Sequence, residues 1–143
     1  MKRLLIMLCS VAGCAAPPVQ LHLPAGQWPL DGVTPVAIGH SGDMLLLRFA
    51  DGRYLGHRQL THDELAYFQS GGATDDQRAA HFLSATDAAP LLHRTAGDRA
   101  LWVQPVPNSA GASSLLLRHG AHYYYLDTSV DPTLLLHWLQ RWH

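Results

Sequence analysis

The sequence predicts an α+β fold, in which an antiparallel sheet of about six to seven strands packs with three helices. Three observations support this prediction. Short runs of leucine, valine and aromatic residues flank glycine-containing turns, two threonines open helix-capping patterns in mid-chain, and a tryptophan-rich amphipathic segment follows near the end. The order of strands, helices, strands and a closing helix is typical of an α+β domain.

The strongest hairpin pattern lies around Asp51-Gly52, between residues 44–50 and 53–57. An Asp-Gly pair suits a two-residue type I′ turn, because both central residues of that turn need a positive φ. Such a turn sets Phe49 opposite Tyr54. The expected core face carries Leu45, Leu47, Phe49 and Tyr54, and the other face carries Arg48, Arg53 and His57.

Two helices are predicted by capping boxes. Thr61 is followed three residues later by Glu64, and Thr74 is followed three residues later by Gln77. In this pattern the threonine hydroxyl accepts a hydrogen bond from the third residue's N–H, and that residue's side chain accepts one from the threonine N–H. We therefore expect helices to begin directly after Thr61 and Thr74.

A second hairpin is predicted at Gly120-Ala121, because glycine at the first central position fits a type II′ turn. Two residues in the turn would set His119 directly opposite His122. Further strands are predicted at residues 33–38, 91–95 and 99–106, in addition to the hairpin strands 114–119 and 122–126.

The closing helix is expected to begin at Asp131, a good N-cap, with Pro132 at the first helical position. Its apolar residues recur at helical spacing on one face: Leu134, Leu135, Trp138, Leu139 and Trp142. A stripe of this kind usually packs on a core. We expect Leu135 and Trp138 to be buried against the sheet, and a partner-binding stripe is the alternative.

The N-terminal segment has the organisation of a signal sequence. Lys2 and Arg3 precede the apolar residues 4–8, and Val11-Ala12-Gly13-Cys14 follows. This last group resembles the lipobox of bacterial lipoproteins, with Val11 where leucine is commonest. The resemblance implies a diacylglyceryl group on Cys14, cleavage before it and acylation of the new amine. A transmembrane helix fits less well, because prolines soon interrupt the apolar run. An ordinary secretory signal also fits less well, because cleavage after Ala16 would place Pro17 just past the scissile bond.

The chain is accordingly divided into three parts. Residues 1–13 are the expected signal peptide, residues 14–32 the lipidated cysteine and a proline-rich tether, and residues 33–143 a single α+β domain. We expect the tether to be extended, with its later part, around Trp28, lying back on the domain. The neutral residue after Cys14 resembles the signal for transfer to the outer membrane. The expected location is therefore the outer membrane, facing the periplasm.

The charge balance excludes nucleic acid as a partner. After residue 13 the chain has no lysine, and eight arginines stand against eleven acidic residues, a formal charge of −3. Nucleic-acid binding requires clustered positive charge. Cys14 is the one cysteine after residue 13, so no pair of thiols is available for a disulfide or a thiolate metal site.

Histidine is abundant, with ten residues in the chain, and His119 with His122 is the best candidate pair for a metal. Two imidazoles on one face of a hairpin suit copper or zinc, but a closed zinc site needs four ligands and a catalytic site three. No catalytic triad, nucleophile elbow or phosphate-binding glycine loop is found in the sequence. We therefore predict no metal site, no cofactor and no enzymatic activity.

Two functions are compatible with these observations. The first is a membrane-anchored, non-enzymatic envelope lipoprotein that acts through protein–protein contacts, as an accessory subunit of an envelope assembly or secretion system. The alternative is a periplasmic lipoprotein that binds a metal or a small ligand through its surface histidines.

Overall fold

The computed structural model describes residues 20–23, 26–29, 35–107, 109 and 111–141, with side chains from residue 35 onward except those of Pro132, Trp138 and Leu139. The predicted signal peptide, the lipobox and Cys14 lie outside the described residues. The side chain of Trp138 also lies outside them, so the structure addresses the predicted packing stripe only through its neighbours.

The described residues form a seven-stranded antiparallel sheet, a separate two-stranded sheet and three helices, which confirms the predicted α+β class. The order of strands in the large sheet is β3-β4-β5-β9-β8-β7-β6, so that β3 and β6 are its edges. The strands are β1 Gln20–Leu23, β2 Gly26–Pro29, β3 Pro35–Ser41, β4 Met44–Phe49, β5 Tyr54–Gln59, β6 Leu92–Ala96, β7 Arg99–Pro105, β8 Ser113–His119 and β9 His122–Thr128.

The three helices begin where the sequence predicts. They are α1 His62–Gln69, α2 Asp75–Phe82 and α3 Pro132–Arg141. Both capping boxes are formed in full, since each threonine accepts from the third residue and donates its N–H to that residue's side chain. At α3 the Asp131 carboxylate accepts a hydrogen bond from the Thr133 N–H at 2.6 Å. No helix in the described ranges combines the length and apolarity needed to cross a membrane.

Each face of the large sheet is covered by different helices. On one face, here the α3 face, Leu135 is fully buried in a core of strand leucines, Phe49 and Tyr124, which confirms its predicted packing. On the other, the α1/α2 face, Phe68 stacks on Tyr123 and Phe82 meets the edge of Tyr125. The sheet therefore separates two apolar layers.

The Asp51-Gly52 hairpin forms, but its predicted register is wrong by one residue. Leu47 lies opposite Leu55 and Arg48 opposite Tyr54. The Phe49 carbonyl accepts from the Gly52 N–H at 3.0 Å and the Phe49 N–H donates to the Arg53 carbonyl at 2.9 Å, so the loop has three residues. With Gly52 at φ +85°, this is a turn followed by a glycine bulge.

That single extra turn residue exchanges the two faces of β5, because side chains alternate along a strand. Tyr54, expected in the core, lies on the α1/α2 face with Arg48. His57, expected on the surface, lies on the α3 face between Leu45 and Leu126. The Gly120-Ala121 hairpin follows its prediction, with His119 opposite His122 and a positive φ at Gly120.

Part of the expected tether is regular structure. β1 and β2 pair with each other, with Leu21 opposite Trp28, and β2 lies next to α3. The backbone around Trp28 therefore lies against the domain, as expected. Residues 20–29 differ from the predicted extended segment in that they include a strand pair.

Candidate functional site

The most exposed large apolar side chains among the described residues lie on the edge strand β3. Val36 is 65% and Ile38 67% exposed, and within the described residues β3 pairs with β4 alone. A bulge at Val36 interrupts the register, and pairing with β4 is then regular from Ala37 to Ser41. Lone exposed apolar residues are ordinary, but two on one free strand edge are typical of an interaction surface.

The two edges of the sheet differ in chemistry. Strand β3 has seven residues, none of them Asp, Glu, Lys or Arg. Strand β6, at the other edge, has five residues and carries the exposed Arg94 in its middle. Charged side chains and short length are how natural edges resist pairing with other chains. By this criterion β6 is protected against pairing with another chain, whereas the only protective features of β3 among the described residues are its N-terminal bulge and Pro35.

Next to β3, the α1/α2 face is open. A cavity of about 310 Å³ is lined by Leu46, Arg48, Gly52 and Tyr54. A smaller one of about 110 Å³ reaches the edge itself, lined by Ala37, Ile38, Gly39, Leu46 and Arg48. The small side chains of Ala37 and Gly39 leave a groove between Arg48 and the outer edge of β3.

Arg48 supplies the charge of this groove. Its side chain is exposed, and no acceptor or carboxylate within the described residues pairs with it. Two arginines where α1 and α2 pack on the sheet do have carboxylate partners. Arg58 binds Glu64 through two hydrogen bonds of 2.7 and 2.8 Å, and Arg118 binds Asp75. We call this surface the β3 edge site, which comprises Val36, Ala37, Ile38 and Gly39 on β3 and Arg48 on β4.

A second polar cluster joins α2 to the sheet. The Trp102 indole N–H donates to Asp76 at 2.7 Å, and the His93 Nδ1 lies 3.0 Å from the same carboxylate oxygen. The His93 ring stacks on Trp102 at 4.7 Å between centroids, and the Arg118 guanidinium lies 5.8 Å from the Trp102 ring. These contacts join Asp76 of α2 to residues of β6 and β7, so the cluster attaches α2 to the sheet, and the His93 Nε2 is buried without a hydrogen-bond partner among the described residues.

His57 is an ionisable group in the core that the sequence analysis placed on the surface. It is 5% exposed, its ring stacks on Tyr124 at 5.3 Å, and its Nε2 has no hydrogen-bond partner among the described residues. Burial lowers the pKa of His57 to about 4, since the cation would lose its hydration. His57 is therefore a neutral core residue above that pH.

The candidate metal pair is brought together as predicted, but with an acidic neighbour. His119 and His122 face each other across the turn, and the His119 Nε2 lies 3.3 Å from the Asp98 carboxylate. His122 is exposed. No set of at least three histidine, cysteine or acidic side chains suited to a metal is found within the described ranges.

A groove between α1 and α2, of about 430 Å³, is lined by Asp63, Glu64, Tyr67, His81 and Phe82. Glu64 is already engaged there by Arg58 and by the Thr61 N–H at 2.8 Å. The hydrogen bonds from Arg58 are the main reason that the pKa of Glu64 falls to about 2. This carboxylate therefore caps and holds α1.

Comparison with known proteins adds no relative. No protein-family model, curated protein or solved structure matches this chain. The function is therefore argued from the β3 edge site and the sequence alone. The sequence analysis predicted a strand near residues 33–38 but not that it lies at an edge. No local feature of residues 35–41 indicated that exposure, because an uncharged, largely apolar strand fits a buried position equally well.

Proposed function

We propose that this chain is a membrane-anchored envelope lipoprotein that acts without catalysis, by contact with a protein partner of an envelope assembly or secretion system. Lipid on Cys14 would hold it in the outer membrane, facing the periplasm. The observation that supports a contact function is the β3 edge site, a free, uncharged strand edge with two apolar side chains above half exposure. Within the described residues, α3 packs on one face of the large sheet, α1 and α2 pack on the other over β7, β8 and β9, and the second edge carries the exposed Arg94.

The anchor and the edge would act together. Each buried methylene of an acyl chain contributes about 0.8 kcal/mol, so two or three chains hold a protein stably at a bilayer. Confinement to the membrane raises the effective concentration of a partner held in the same envelope. A modest contact at a strand edge is then sufficient for stable association.

The anchor is tested by Cys14→Ala. We expect this variant to lose incorporation of labelled palmitate and to accumulate as uncleaved precursor, because the thiol is the acceptor of the first lipid. The measurement is gel mobility with radiolabelled palmitate, and the control is Cys9→Ala, which should label and mature normally. Palmitate incorporation that continues in Cys14→Ala would refute the lipoprotein assignment.

The contact function is tested by photo-crosslinking in cells that make the full-length protein. A photoreactive residue replaces Ile38 on β3, Tyr67 on α1, Leu92 on β6 or His137 on α3, all of which are exposed. We expect a discrete adduct from position 38 and none from position 92. The absence of a discrete adduct from all four positions would contradict the contact function.

A further inference from the structure

We propose that the β3 edge site binds a partner by strand addition, and that the partner segment is extended, apolar on one side and acidic on the other. This inference rests on the proposed function and names the chemistry of its partner. The geometry of β3 determines both sides of that segment.

The backbone of β3 offers the hydrogen bonds. Ser41 and Met44 close a two-residue turn, so they form the hydrogen-bonded pair, and in an antiparallel ladder such pairs alternate with open ones. Gly39 therefore faces β4, and the N–H and C=O groups of Ile38 and His40 point away from it. These outward groups form a template for one more strand.

The side chains of an added strand would meet different surroundings on the two faces. A residue opposite Ile38 lies on the α3 face, where an apolar side chain would cover the exposed Ile38. Its two neighbours lie on the α1/α2 face beside Ala37 and Gly39. The partner segment therefore needs an apolar residue at alternate positions.

Charge specifies the other positions. Arg48 lies opposite Ala37 on β4, two strand spacings or about 10 Å from an added strand. Because Ala37 and Gly39 are small, the Arg48 side chain can extend over them toward a carboxylate on that strand. Arg48 has no partner within the described residues, so an acidic residue there would form a charge-assisted pair. A lysine would meet like charge instead.

A second copy of this chain fits less well. Pairing β3 with β3 of another copy would bring two Arg48 groups to the same side of the joined sheet, and neither strand carries an acidic residue. The charge of the site thus favours an acidic segment from a different protein over self-association.

The test uses the full chain in detergent micelles and two synthetic peptides matched in length to β3. One alternates valine and glutamate and the other alternates valine and lysine. We expect fluorescence anisotropy to show about tenfold tighter binding of the valine–glutamate peptide, with the difference shrinking at high salt. Methylation of the peptide nitrogens that face β3 should abolish binding, because strand addition needs those N–H groups.

Variants of the protein separate the contributions. Arg48→Glu should reverse the preference, so that the valine–lysine peptide binds more tightly than the valine–glutamate peptide. Ile38→Lys should weaken binding of the valine–glutamate peptide about tenfold. Leu92→Lys and Arg94→Glu make the same changes on β6 and should leave binding unaltered. The side chains of Ile38 on β3 and Arg48 on β4 are both exposed, so these substitutions leave the core intact.

Three results would overturn the proposal: no binding of the valine–glutamate peptide, equal binding of both peptides, or a preference that Arg48→Glu does not reverse. Sedimentation that shows a dimer abolished by Ile38→Lys would assign the edge to a second copy, which also overturns it. If crosslinks form at other positions but not at 38, strand addition fails while the contact function stands.

Discussion

Replacing Trp102 by alanine is expected to lower the free energy of unfolding by about 3–5 kcal/mol, the range for large aromatic truncations in cores. Trp102 is 1% exposed on β7, in the apolar cluster between α2 and the sheet. Its loss would remove apolar contact beneath α2, the hydrogen bond to Asp76 and the stack with His93. Chemical denaturation monitored by circular dichroism measures the effect.

Trp102→Phe is the matched control. It keeps an aromatic ring but removes the indole N–H, so Asp76 loses one of its two contacts in this cluster. We expect a cost of about 1–2 kcal/mol, the usual penalty for a lost hydrogen bond with partial cavity formation. A cost below about 1 kcal/mol for Trp102→Ala would mean that α2 does not pack on β7 as described.

His57 is expected to make the domain unstable in mild acid. Its pKa in the folded state is about 4, below the ordinary value of 6.5, so the unfolded chain binds the proton more tightly. The free energy of unfolding is therefore unaffected by His57 above pH 6.5, and protonation of this histidine lowers it as the pH falls toward 4. The full pKa shift corresponds to a loss of about 3 kcal/mol. Denaturation at a series of pH values measures this loss.

His57→Leu separates this contribution from that of the carboxylates. The variant has no titrating group at this position, and we expect its stability to change little between pH 6.5 and 4.5. Below pH 4.5 both proteins should lose stability through Glu64, whose pKa is held at about 2 by Arg58. Equal slopes for the two proteins between pH 6.5 and 4.5 would show that His57 is hydrated in the folded state.

The two halves of the α1/α2 face explain why the β3 edge site is available. Over β7, β8 and β9, aromatic contacts and the Asp76–Trp102 bond hold the helices down. Over β3 and β4, the residues on this face include the small Ala37 and Gly39 and the charged Arg48. Small residues give a helix little to bury, and this half remains open next to a free edge.

Local features were predictable because few neighbouring residues decide them. Each capping box depends on two side chains three residues apart, and both formed as predicted. Gly120-Ala121 gave the expected register, since only the glycine adopts a positive φ there. Asp51-Gly52 did not give the expected register, because that pair is compatible with both a two-residue and a three-residue loop.

The choice between those loops was made by packing. In the observed register Leu55 is fully buried opposite Leu47, whereas Tyr54 reaches the opposite face and donates to Asp127 at 3.4 Å. The predicted register would bury the tyrosine hydroxyl and expose the leucine. Burying Leu55 carries His57 into the core on the same face, at the cost of keeping it neutral. This outcome depends on β9 and α3, far away in the chain.

The sequence by itself determined the fold class, the helix starts, most strands and the lipobox resemblance, because these rest on periodicity, caps and short motifs. The tertiary structure alone decided which face each residue of β5 occupies and which strand is left at an edge. Pairing of β5 with β9, more than sixty residues apart, joins the two halves of the sheet and leaves β3 outermost. Strand order depends on long-range burial, and no local pattern in residues 35–41 encodes it.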